Sequence, residues 1–135
     1  MTAPGELPRV LIVDTDLTKD DALDRWVDVA RVAGWQPVNF DEAIPAIEEI
    51  EHDPKVLKAA MIAHRIGRGG FSELTAPKLV QAVQDHDIPC AVITNGMSLD
   101  NTPQTFKNSN MIVDEKGLNI TWMLEGWLRH LRDNQ

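Results

Sequence analysis

Short runs without polar side chains alternate along this chain with segments of helical period. Arg9–Val13 (RVLIV) is a continuous apolar stretch that stops at Asp14, and Leu57–Ala63 and Cys90–Thr94 repeat the pattern. Continuous rather than alternating hydrophobicity is the mark of a strand buried on both faces, as in a parallel sheet. Gln36–Phe40 and Asn110–Asp114 complete a set of five candidate strands. Between them the period changes. Leu23, Trp26, Val27, Ala30 and Ala33 recur at helical spacing after a possible cap at Thr18, and Gly34 closes that helix. Further helices are predicted over residues 41–50, 74–86 and 118–132, with a weaker one over 100–107. Pro45 and Pro77 both fall early enough in their helices to be tolerated.

Five strands alternating with five helices predict β–α crossovers and a parallel sheet between two helical layers. The expected architecture is the flavodoxin-like doubly wound α/β fold with strand order 2-1-3-4-5. One domain over residues 9–132 accounts for the pattern, preceded by a loose tail over residues 1–8 that holds two prolines and a glycine. Trp26 and Trp127 fall on core-facing helical stripes. Trp122 falls off its stripe and is predicted to face outward.

Composition narrows the function classes. The net charge of −8 offers no basic field for nucleic acid or an anionic membrane surface. No apolar segment approaches the ~20 residues that a membrane span requires, and residues 1–9 lack the charged-then-apolar order of a secretory leader. The single cysteine, Cys90, excludes an internal disulfide and favours a reducing compartment, so a cytoplasmic location is expected. His52, His64, His86 and His130 show no metal-ligand spacing. Ser72 and Ser98 stand in no nucleophile-elbow context. No metal, cofactor or catalytic residue is therefore assigned.

In a doubly wound sheet, chemistry gathers where the strands end. Those ends carry Asp14-Thr15-Asp16, His64-Arg65, Thr94-Asn95-Gly96 and Asp114-Glu115-Lys116. RVLIVDTD, IPCAVITNG and MIVDEKG, in this order, resemble the first, fourth and fifth strands of response-regulator receiver domains. Thr94 and Lys116 lie 22 positions apart, as the hydroxyl and lysine of that family do. The resemblance runs from Arg9 to about Arg132. It implies a signalling domain whose phospho-accepting aspartate stands 30 positions before the hydroxyl, and here that position holds His64. A slip of one places Ala63 there instead.

The departures from the family pattern bear on the same chemistry. Receivers transfer a phosphoryl group to an aspartate with the help of Mg²⁺, which demands oxygen ligands. Thr15 replaces the second member of the acidic pair, although Asp16 follows. Val113 stands where the family has an aromatic switch residue, and Gly117 where proline usually follows the lysine. The resemblance thus implies a degenerate phosphorylation site of Asp14, Thr15, Asp16, His64, Thr94 and Lys116. Lys116 is expected to pair with Asp14 or Asp16, and His64 to stand in for the metal's charge.

Three functions follow as expectations. The first is a pseudo-receiver that signals without phosphorylation. Its fourth and last helices would contact another signalling protein, such as a kinase or regulatory enzyme, or a second copy. The second is a sensor of a small anion or nucleotide that uses Arg65, Arg68, Gly69 and Gly70, since the loop HRIGRGG combines cations with exposed backbone N–H groups. That loop lacks the order of a P-loop or a dinucleotide turn. The third, an enzyme on this frame, lacks a convergent nucleophile and base.

Overall fold

The computed structural model describes residues 7–14, 22–40, 42–53, 55–64, 75–94, 109–114 and 119–134. Five strands form one parallel sheet: β1 (Arg9–Asp14), β2 (Gln36–Phe40), β3 (Leu57–His64), β4 (Cys90–Thr94) and β5 (Met111–Asp114). Their order is β2-β1-β3-β4-β5, the order expected for the flavodoxin-like fold. The described helices are α1 (Ala22–Val32), α2 (Ala43–His52), α3 (Thr75–Asp85) and α4 (Ile120–Asp133). The Thr18 cap and the helix expected over 100–107 lie outside the described residues, as does most of the tail.

The sheet separates two apolar cores, and strand parity assigns each residue to one of them. Val10, Ile12, Met61, Ala63, Ala91 and Ile93 face α1 and α4, where they meet Trp26, Ala30, Leu124 and Leu128. Leu11, Val13, Ala60, Ile62, Cys90 and Val92 face α2 and α3, where they meet Ile50, Leu79 and Val83. Every residue of β4 is buried, which explains its unbroken apolar run. β2 is an edge strand and only half-buried, and Pro37 is tolerated there because an edge strand leaves one side of its ladder unpaired.

Two helices end in the same hydrogen-bonded turn. After α1, Gly34 N–H donates to the Arg31 carbonyl (3.0 Å) and Trp35 N–H to that of Ala30 (2.9 Å). Gly34 has φ +85°, which the absence of a Cβ makes inexpensive. After α3, Asp87 N–H donates to Gln84 (3.0 Å) and Ile88 N–H to Val83 (3.1 Å), yet here the left-handed position (φ 57°) is held by an aspartate. Among the described residues no helix is long and apolar enough to cross a membrane.

Candidate functional site at the strand ends

β1, β3, β4 and β5 all finish at one edge of the sheet, and the register fixes which residues stand side by side there. His64 pairs with Thr94, and Thr94 with Asp114, so three adjacent strands present them in one row. Asp14 pairs with Ala63, one row further back. Neighbouring strands lie ~4.8 Å apart, which sets the spacing of this row. The 30-residue interval between His64 and Thr94 therefore corresponds to direct lateral pairing.

Thr94 is the site residue whose side chain is described. It is 5% exposed, the one polar residue in the buried set among the described residues, and its hydroxyl donates to the Val113 carbonyl across the β4–β5 pair at 3.3 Å. That bond satisfies a buried polar group and commits its only proton to the backbone. Val113 itself is buried in the α1–α4 core.

Asp14 and His64 are placed by their backbones, as the last residues of β1 and β3. Thr15, Asp16, Lys116 and the loop residues Arg65, Arg68, Gly69 and Gly70 lie outside the described residues, and with them the expected ion pair and the anion loop. Among the described residues no group of three or more acids, histidines or cysteines could hold a metal ion. Cys90 is a buried free thiol in the α2–α3 core, as its place in a strand implies.

β3 brings no carboxylate to this edge. From Pro54 to Ser72 the chain contains neither Asp nor Glu, so neither β3 nor the residues just after it supply one. The nearest acid before the strand, Asp53, caps α2 at the opposite edge of the sheet.

No protein-family model and no curated protein matches the sequence. Solved structures do match the fold. A response-regulator receiver domain protein from Clostridium thermocellum superposes with a TM-score of 0.70 at 9% identity, covering 95% of this chain and 96% of that one. The fold is that of a receiver domain. A response-regulator receiver protein from Pseudomonas putida gives a TM-score of 0.66 at 15% identity over 97% of this chain and 99% of its own. An orphan response regulator of H. pylori gives 0.66 at 13% identity, covering 92% and 96%. On this fold the strand ends Asp14, His64, Thr94 and Asp114 share one edge of the sheet.

Trp122 is 74% exposed on the outward face of α4, opposite the buried stripe of Ile120, Leu124 and Leu128. The neighbouring Met123 is also exposed. The helical period predicts this placement, and an exposed indole is a common anchor in protein interfaces.

Proposed function

We propose that this chain is a receiver-fold signalling domain that works by protein–protein contact and without phosphorylation of β3. The observation that carries the reading is the absence of any carboxylate at the C-terminal end of β3, with His64 beside Thr94 instead. A phosphoryl acceptor of this class must also bind Mg²⁺ through oxygen, and neither imidazole nor methyl supplies that oxygen. The Thr94 hydroxyl, bonded to the Val113 carbonyl, supports the same reading from the adjacent strand. With no phosphoryl switch, output depends on a surface, and the exposed Trp122 and Met123 on α4 are the part of it we assign to a signalling partner.

The test is incubation with acetyl phosphate, and separately with beryllofluoride, in the presence of Mg²⁺. Intact mass and the amide NMR spectrum are expected to stay unchanged. A stable phospho-adduct, or shifts centred on residues 14, 64 and 94 with beryllofluoride, would restore an ordinary phosphorylated receiver and overturn the proposal.

A further inference from the structure

At the sheet edge opposite His64 and Thr94, a cavity of about 590 Å³ opens between the start of β3, the α3–β4 turn and the last turn of α4. Its volume falls within the range of small-molecule sites, roughly 300–1,000 Å³. Leu57, Ile88 and Leu131 give it an apolar lining, while Lys55 and Lys58 line it from the β3 side and Asp85 and Asp87 from the end of α3. Among the described residues neither lysine forms an ion pair with either aspartate. Asp85 accepts a hydrogen bond from the Gln81 amide nitrogen (2.8 Å), so opposite charges share one cavity without pairing with each other.

Asp87 carries two modest local costs. Its φ of 57° belongs to the left-handed region, and its place in the terminal turn of α3 is the one glycine ordinarily fills. It also sets a carboxylate at the negative end of a helix dipole, beside Asp85, in a helix with no basic residue in its last turn. Glycine would relieve both costs. The Asp87 carboxylate is exposed at the cavity mouth and open to a cationic group from outside the chain.

We propose that this cavity binds a short zwitterionic peptide. The peptide's ammonium group meets Asp85 and Asp87 at the end of α3, its carboxylate meets Lys55 and Lys58, and an apolar side chain covers Leu57, Ile88 and Leu131. A simple anion would leave the aspartates unanswered, and a simple cation would leave the lysines so. The site lies away from the strand ends of His64 and Thr94, and the inference does not rest on the phosphorylation reading.

The experiment is a titration of the full chain with alanyl-leucyl-alanine, followed by amide NMR and calorimetry. N-acetylated and C-amidated forms of the same peptide serve as controls. Saturable shifts are expected at residues 58, 88 and 131, and either cap should weaken binding about tenfold or more. Asp87→Gly is expected to weaken binding of the free peptide by a similar factor while raising the melting temperature by about 2–4 °C. Lys58→Gln should weaken binding of the free peptide and leave that of the amidated one unchanged. No saturable shift up to ~10 mM peptide, a range that excludes even feeble affinity, would overturn the proposal. So would equal binding of the capped peptides, or an Asp87→Gly variant that binds as well as the parent.

Discussion

The indole nitrogen of Trp35 donates a buried hydrogen bond to the carbonyl oxygen of Leu128, 2.9 Å away and 93 positions later in the chain. Both residues are fully buried in the α1–α4 core. The bond fastens the entry to edge strand β2 onto α4, so a weakly covered strand is held from the side. Trp35→Phe removes the donor and leaves a void, and it should cost about 2–3 kcal/mol. Urea unfolding checks this as a lower midpoint at unchanged slope.

Gly34 is constrained twice. Its φ of +85° strains any L side chain, and a Cβ there would collide with the guanidinium of Arg132 on α4. Gly34→Ala should destabilise by at least about 1 kcal/mol. The guanidinium is the exposed end of a flexible side chain and can swing aside, so adding Arg132→Ala should recover little of a loss that is mostly due to the backbone. A double-mutant cycle in urea separates backbone from collision.

Thr94 places a hydroxyl where β4 and β5 meet. Thr94→Val keeps the shape, loses the bond to the Val113 carbonyl and buries an unanswered acceptor, at a cost of about 1–2 kcal/mol. Thr94→Ser keeps the donor and should lose less. If the hydroxyl serves the β5 backbone, thermal melts will rank the variants in this order, with neither gaining a response to beryllofluoride.

Burial pushes the Cys90 thiol from 9.0 up to about 12, because a thiolate there would lose its hydration. The folded chain therefore holds this proton at pH values where the unfolded chain releases it. The stabilisation is complete below pH 9 and is lost as pH rises from 9 towards 12. Over that window, unfolding free energy should fall by about 1.4 kcal/mol per pH unit more steeply than in Cys90→Ala. At neutral pH the native thiol should resist thiol reagents until urea unfolds the chain.

The strands were legible because burial on both faces writes itself as an unbroken apolar run, and β4 begins and ends where Cys90 and Thr94 bound that run. Helix and strand ends were less so. The helix predicted from Leu118 begins at Ile120 because Asn119 adopts φ 67°, a conformation outside the helix. Asn110, predicted as strand, substitutes a side chain for the ladder: its Oδ1 accepts from Cys90 N–H at 2.9 Å while its own N–H reaches the Cys90 carbonyl. Of the site, the pairing of His64 with Thr94 could be inferred from spacing. The charged cavity could not, because residues 55–58, 85–89 and 131–134 meet only in three dimensions. Trp35 escaped for a related reason. It stands alone between a helix and a strand, and only its distant carbonyl partner shows that it belongs inside.

Ile120, Leu124 and Leu128 supply a large share of the apolar wall on one side of the sheet, and they follow every described strand. During synthesis, Trp26, Trp35 and Met61 therefore leave the ribosome well before the helix that covers them. The α2–α3 side can close first, while the other side is covered by α1 alone until α4 emerges. A nascent chain stalled ahead of α4 would thus be one-sided, a natural client for chaperones that grip exposed apolar surface.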